Sequence, residues 1–533
     1  MATTSVPLVP RTRVEPRFES RPTPSAAYFR NDKSPFLFGW RPVLREHSED
    51  VRAAWPLAAA RMGEQIQNSG MIAGIVEHSV ASVVGPKLTL SLAPDAKALG
   101  WSEERATEWG EDVENRFNSW ANNPRACDAG GRMTLGQMKQ LGYASWMVFG
   151  EVLAALPMIK RPGVPGMTKV LMLPPTRLSQ KNLPYERVVQ GVKVDGWSAP
   201  VSYFIERTNP YGFKDDVEIQ ATDADGRRNI VHVFEPSLGA TRGISSLAPV
   251  LKTTRQIDQS FDATVTTSLL QTIFAASIKS NLTGQTAFEG MLTERDQGKG
   301  NMLEAFGELK GDWYDGAKID FSQHGRIAHL FPNDELQFHT NNHPAATFDP
   351  LMAWLYRELA RCAGVTYESA TGDYRNSSYS ASRMGIEMEY GIAEKRRANV
   401  PVPFGDAVLD TWLEEEVGTG RIEFPGGLEA FFVQKEFATA HSWQGPAKPQ
   451  ADDLKTARAE ETKKAIGIGN LATMNAGYGI NWRDNMEQRA RERKYALKLG
   501  LPDPYPPEPP PSAGNKDGGD PKDEPQRKSQ EAA

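Results

Sequence analysis

Four histidines, His324, His329, His339 and His343, fall within one short stretch of this 533-residue chain and are its first candidates for metal chemistry. A zinc site needs ligands at compact spacings, commonly with cysteine partners. These histidines match no such spacing and have no cysteine nearby, so they read as ordinary polar or interface residues. Gly467-Ile468-Gly469-Asn470-Leu471-Ala472 imitates a dinucleotide-binding turn, but that turn must follow a strand. The run before it, Asp452 to Ala465, is helical in pattern, so the glycines mark a joint between helices. The carboxylate groups Glu103-Glu104, Asp215-Asp216 and Glu414-Glu415-Glu416 read as solvated faces rather than acid–base dyads. No phosphate-binding Walker loop, His-Glu-x-x-His pair or Gly-x-Ser-x-Gly elbow occurs. No cofactor or metal is therefore expected, and the pattern favours a structural protein over an enzyme.

The remaining candidate is the polar stretch 365–379, rich in hydroxyls, mixed in charge and poor in core-forming side chains. Tyr367, Glu368, Asp373, Tyr374, Arg375, Asn376 and Tyr379 are its contact-capable residues. Taken alone it is a solvated surface loop, as most polar loops are. Its flanks change that reading, because a helix is expected on each side. Asp349-Pro350 reads as an N-cap with proline in the first turn. Leu351, Trp354, Leu355, Leu359 and Cys362 then form one face, and Gly364 stops the helix. The helical pattern resumes at Ser380, with Met384, Met388 and Ile392 four residues apart. Such a loop suits presentation of side chains into a shared space.

A long helix is expected over Ser246–Ser280, with a stripe of Leu247, Leu251, Ile257, Phe261, Val265, Leu269 and Ile273. At ~1.5 Å per residue it would span on the order of 50 Å, far beyond the typical ~11–12 residues. A narrow apolar stripe on a Thr/Ser/Gln-rich helix suits packing beside copies of itself. A core helix of a large domain is the other reading. Lys252, Arg255, Asp258, Asp262 and Lys279 are candidates for a seam between copies. Upstream, helices over Ser48–Val84, Trp101–Trp120 (capped by Ser102) and Thr134–Phe149 alternate with strands near Lys87–Leu92, Val152–Met158, Lys169–Leu173, Gly191–Arg207 and Ile230–Phe234, giving an α+β region. A helix over Ser380–Val400 and another over Pro403–Val417 are separated at Pro401 and Pro403.

At 533 residues the chain exceeds one ordinary core, so roughly two to four packing units are expected. Hydrophobic content of 39% and charged content of 24% are those of a soluble protein. No run reaches the ~18 apolar residues of a membrane helix, so no membrane partner is expected. The first 30 residues carry Arg and Pro but no apolar segment of a secretory signal. Cys127 and Cys362 give no disulfide framework, which fits synthesis in a reducing cytoplasm. With 61 basic against 67 acidic residues the net charge is −6. That opposes tight, sequence-independent grip on DNA, which needs a surplus of cations.

Three blocks, in order, resemble the lambda-type portal proteins of tailed bacteriophages. His232-Val233-Phe234-Glu235-Pro236 with Thr241-Arg242-Gly243-Ile244-Ser245 looks like the lead-in to that family's channel-lining stem. Gly364-Val365-Thr366-Tyr367-Glu368 and Tyr379-Ser380-Ala381-Ser382-Arg383 look like its tunnel loop and the helix leaving it. Trp443-Gln444-Gly445-Pro446 before a Lys-rich helical run is similar to its crown. The likeness spans roughly residues 45–500. It implies an α+β portal fold: a flexible arm (1–40), a wing (41–245), a first stem helix (246–280), a clip (281–347), a second stem helix (348–364), a tunnel loop (365–379), a long helix and wing return (380–433), a crown (434–500) and a disordered Pro-rich acidic tail (501–533). It implies a homo-oligomeric ring of twelve copies at one capsid vertex, through which double-stranded DNA passes non-specifically. For Lys252, Arg255, Asp258, Asp262 and Lys279 it implies a channel face as the alternative to a seam. The implied partners are the terminase large subunit, the major capsid protein and head-completion or adaptor proteins. Another multimeric virion component (a connector or minor capsid protein), or a nucleic-acid-processing hydrolase, are the readings left beside it.

Overall fold

Apolar residues at Val51, Trp55, Ala59 and Met62 bury one face of helix α1 (His47–Asn68), which breaks at Ser69 before α2 (Gly70–Val83). In the computed structural model the described residues are 43–209, 211–273, 276–280, 312, 334–338, 346–449 and 453–506. The arm, most of the expected clip with the four histidines, and the tail beyond 506 lie outside them. Strand β1 (Thr89–Leu92) and the short α3 (Ala96–Leu99) lead to α4 (Glu103–Ala121). There the Ser102 hydroxyl accepts from the Arg105 N–H, as its position before the first turn predicts. After α5 (Pro124–Cys127), Thr134 and Gln137 close a capping box on α6 (Leu135–Phe149), and Gly150 ends it at φ 90°.

Two antiparallel sheets follow. Strand β2 (Glu151–Ala155) lies between β3 (Leu171–Leu173) and β8 (Ile230–Phe234). A meander of β4 (Val188–Val189), β5 (Val192–Val194), β6 (Pro200–Thr208) and β7 (Lys214–Gln220) forms the other. Strand β7 escaped the sequence reading because Lys-Asp-Asp-Val-Glu-Ile-Gln is an edge strand with charged residues, where apolar alternation is weak. The chain then runs through α7 (Leu251–Ile273), β9 (Ala276–Ser280) and β10 (Asp334–Phe338), which pair antiparallel, to α8 (Phe348–Ala363). The short α9 (Tyr367–Thr371), α10 (Tyr379–Asn399), α11 (Pro401–Gly418) and α12 (Gly427–Ala438) come next. Strand β11 (His441–Gln444) precedes the charged helices α13 (Asp453–Ala465), α14 (Leu471–Gly477) and α15 (Trp482–Lys498).

The main core wraps α11, whose Phe404, Val408, Leu409, Trp412 and Leu413 are buried against α4 and α6. Trp412 meets Phe117 edge-on with ring centroids 5.2 Å apart. Four expectations change. Glu415 and Glu416, read as a solvated face, are buried, Glu415 accepting from the Met167 and Thr168 N–H groups and Glu416 from Arg421. The helix expected over 246–280 is α7 alone, and Lys279 stands on β9 opposite Glu335. Ladder pairing with β10, far along the chain, decided it, which local periodicity does not register. Helix α8 begins at Phe348 after Thr347, so Asp349 lies inside the first turn rather than at the N-cap, while Pro350 keeps its place in that turn. Its buried face is Met352, Leu359, Ala360 and Ala363, while Leu351 and Trp354 are exposed. Strand β11 pairs with β1, Trp443 opposite Leu90, so the Trp443–Pro446 block starts against the α+β body.

One junction ties these layers together. The Gly150 and Gly243 backbones lie against each other so closely that a Cβ on Gly243 would fall on the Gly150 carbonyl oxygen. Directly beside them, the fully buried Arg242 guanidinium grips Glu151 through Nε, at 3.1 and 3.2 Å, and through a second nitrogen. It also donates to the carbonyls of Pro175 (3.1 Å) and Leu178 (3.3 Å) and lies over Trp55 of α1, 4.1 Å from the ring. His232 Nε2 reaches the other Glu151 oxygen at 2.9 Å. Burial alone would raise the Glu151 carboxyl; the Arg242 charge and the His232 hydrogen bond outweigh it and hold it below the usual range. Ser245 then donates to the Met147 carbonyl at 2.6 Å. Thr241–Ser245 is therefore a packing signature: cation, bare backbone, hydroxyl. Replacing Arg242 by Met leaves a buried carboxylate uncompensated and should cost about 3–5 kcal/mol. Gly243→Ala should cost about 1–3 kcal/mol or more through overpacking. Chemical denaturation of both variants checks this, and losses under about 0.5 kcal/mol would show the junction to be incidental.

Candidate functional site

The loop between α8 and α10 is rooted before it becomes exposed. Gly364 takes φ 76° at the end of α8, and Arg396 of α10 donates to the α8 carbonyls of Ala363 and Cys362, the latter at 3.2 Å. The next residue, Arg397, donates to Val83 (2.8 Å) and Ser82 (3.2 Å) at the end of α2. Two consecutive arginines thus satisfy two helix C-termini, where cations are favoured by the helix dipole.

Glu389, buried on α10, fastens the loop itself. Its Oε2 accepts from the Thr366 N–H (3.1 Å), the Thr366 hydroxyl (3.3 Å) and the Ser369 hydroxyl (2.8 Å). Its Oε1 lies 2.7 Å from His78 Nε2 on α2. Thr366 in turn caps α9 by accepting from the Ser369 N–H. Burial alone would raise the Glu389 carboxyl, but the hydrogen bonds from His78, Ser369 and Thr366 hold it low. The hydrogen bond to Glu389 raises the His78 imidazole against the opposing effect of burial. Sequence reading missed both residues. Glu389 falls at i, i+4, i+8 with Ala393 and Arg397, the face that α10 buries, whereas Met384 and Met388 are exposed. His78 is 311 positions away, and no local signal joins the two.

Beyond this root the predicted contact residues divide. Tyr367 is half-buried with the Arg357 guanidinium 5.0 Å from its ring centroid, and Glu368 is half-buried on the same short helix. Asp373 and Arg375 bind each other through two side-chain contacts of 2.9 and 2.8 Å, which holds the Asp373 carboxyl down to about 2. The loop tip therefore offers little net charge. Tyr374, Arg375, Asn376 and Tyr379 are exposed. Tyr374 also lines a cavity of about 330 Å³ with His78, Glu389, Tyr390 and Pro446. Exposed rings beside a self-neutralised ion pair can brush a polyanion without holding it.

The helix candidates stand apart from the loop. Lys252, Arg255 and Asp262 are exposed on α7. Asp258 is not free, since Ser69 donates to it at 3.3 Å. Thr253 donates to Glu358 at 3.0 Å, which ties α7 to α8. Among the described residues no hydrogen bond or ion pair joins the loop group to the α7 group, no cluster of three or more His, Cys, Asp or Glu could hold a metal ion, and no helix is long and apolar enough to cross a membrane.

The pH dependence of the anchor follows from its two partners. The His78 contribution is complete below its ordinary value of 6.5 and disappears as pH rises through the raised one; the Glu389 contribution is complete above 4.5 and disappears as pH falls through the lowered one. The Thr366–Thr371 amides should thus be better protected near pH 6 than pH 9 in hydrogen exchange corrected for intrinsic rates. His78→Gln should abolish that difference; a variant that keeps it would show that another group holds the loop.

The family described as phage portal protein, lambda family, matches residues 34–397. The portal protein of Escherichia phage N15 is 24% identical over 473 residues, covering 87% of this chain and 89% of that protein. Portal protein B of Escherichia phage lambda is 24% identical over 480 residues, covering 88% and 89%. A chain from the neck of an empty gene transfer agent particle superposes with a TM-score of 0.44 at 14% identity, over 87% of this chain and 96% of that one. The family match takes in the Thr241–Ser245 and Gly364–Arg383 blocks and ends before Trp443.

Proposed function

Because the chain belongs to the lambda family of phage portal proteins, we propose that its copies close into a ring whose stem is built from α7 and α8 and whose channel is lined in part by the 365–379 loop. The chain is a portal subunit, a structural head–tail connector of the virion and not an enzyme. The finer reading is that twelve copies form the ring, that a terminase large subunit drives double-stranded DNA through it, and that the major capsid protein and head-completion or adaptor proteins bind its outside. In that reading 41–245 with 380–433 is the wing, 281–347 the clip and 434–500 the crown.

The observation that carries the ring is the apolar surface left on α7 and α8. The stripe read from the sequence is buried at Leu247 and Ile257, then emerges at Phe261 and Val265; Leu351 and Trp354 of α8 are exposed as well, Trp354 at 72%. Large rings standing in water are disfavoured by ~25 cal/mol per Å², and neighbouring copies would cover them. The loop supports the channel role, because its root is fixed by Glu389 while its tip is nearly neutral and aromatic. A net charge of −6 per chain favours passage of DNA over adhesion.

Negative-stain images of purified protein should show closed rings with a central hole wide enough for duplex DNA. Trp354→Asp should shift the population to lower oligomers. Deleting residues 366–379 should leave rings intact while packaged or retained genomes drop at least about tenfold in a phage complementation assay. Normal packaging and retention by that deletion would remove the loop from the channel wall.

A further inference from the structure

Helices α1 and α7 face each other across a polar cleft of about 650 Å³. Lys252, Arg255, Gln256 and Gln259 recur at i, i+3, i+4 and i+7, so the first two turns of α7 present one donor-rich face. Arg61 and Gln65, one turn apart on α1, stand on the opposite side. Glu64 is the single carboxylate among the lining residues, against three cations. Arg61, Lys252 and Arg255 are exposed, and long cations on helix surfaces are ordinarily just solvated. Gln65 is not explained that way: it is only 4% exposed, it lines the same cleft, and its Oε1 has no hydrogen-bond partner. A buried amide normally has one. A half-turn of that amide exchanges its oxygen and nitrogen, so the same group can offer its NH2 to an anion.

We propose that this cleft binds a phosphate group through Arg61, Lys252, Arg255 and the Gln65 amide. Two guanidinium forks match the paired oxygens of a phosphate, and Lys252 adds a point charge. The amides of Gln256 and Gln259 supply neutral donors, and the first turns of α7 lie at the positive end of a 23-residue helix. The site is dominated by donors, which suits phosphate, an acceptor on every face. Its placement at the root of the stem rests on the portal reading, and a phosphodiester of DNA is then the occupant at hand. It differs from the 365–379 loop in kind: the loop touches without net charge, whereas this cleft holds one backbone position.

Full-length protein would be titrated with a short labelled duplex by anisotropy and with inorganic phosphate by thermal shift. The titrations would be repeated for R61Q/R255Q, whose two positions are exposed, and for Q65L. The double variant should bind duplex at least about tenfold more weakly, with the slope of log affinity against log salt shallower by about 2. Q65L should lower affinity with the slope unchanged. Phosphate that displaces the duplex identifies DNA as the source of the group. A phosphate-dependent rise in melting temperature lost in R61Q/R255Q, with duplex affinity unaltered, identifies a free anion in the same site. Equal duplex affinity together with no phosphate shift overturns the site, as does binding of an oligoglutamate peptide in place of both probes. Ring images of the same preparations separate the two readings: wild type without rings defeats the channel assignment, while the phosphate titration still decides the cleft.

Discussion

The buried contact between Glu151 and Arg242 is the constraint on which the other elements depend. A carboxylate and a guanidinium, both removed from water, are tolerable only if nearly every donor and acceptor is answered. Answering them draws in Trp55 from α1, the carbonyls of Pro175 and Leu178, and His232 from β8. The pair can form only where Gly150 and Gly243 let two backbones touch. The turn after α6 and the turn before α7 are thereby fixed to each other. The direction in which α7 leaves the α+β body is set there, by charge pairing and the absence of two Cβ atoms.

A second carboxylate does for the loop what Glu151 does for α7. Glu389 takes four contacts from α2, α9 and the residue that caps α9, and the paired arginines that follow it on α10 close the ends of α8 and α2. The loop is consequently fastened at its root, while Tyr374, Arg375, Asn376 and Tyr379 at its tip are exposed. That division suits the proposed role of a wall element that keeps its place while polymer moves past it. The tip charges neutralise each other in the Asp373–Arg375 pair, so the loop itself adds little electrostatic drag.

The same helices that the core holds at one end are exposed at the other. Along α7 burial falls from Ile257 to Phe261 within one turn, and along α8 it rises from Leu351 and Trp354 to Leu359 and Ala363. The exposed ends therefore lie at the outer reach of both helices, away from the Gly150–Gly243 junction. A single chain covers the roots of α7 and α8 and leaves their outer apolar side chains exposed. In the proposed ring these are the faces that a neighbouring copy would cover, beyond the polar cleft between α1 and α7.

Capping and periodicity made much of this legible in advance. Ser102, the helix start at Thr134 and Gly364 announce helix ends that the structure keeps, because caps act within a few residues and need no tertiary partner. The stripe on α7, the loop boundaries and the helical joint at Gly467–Asn470 were readable for the same reason. Where partners lie far apart in sequence, the reading stopped. The β9–β10 ladder shortened a helix, β11 folded back onto β1, and the anchoring of the loop fell to His78 and Glu389, which no spacing connects. The sequence alone determined local conformation, because side chains bias the backbone they belong to. Only the tertiary structure decided which carboxylates are buried, which cations they meet and which apolar faces remain for another copy, because those depend on contacts whose free energy exists only once the chain has closed on itself.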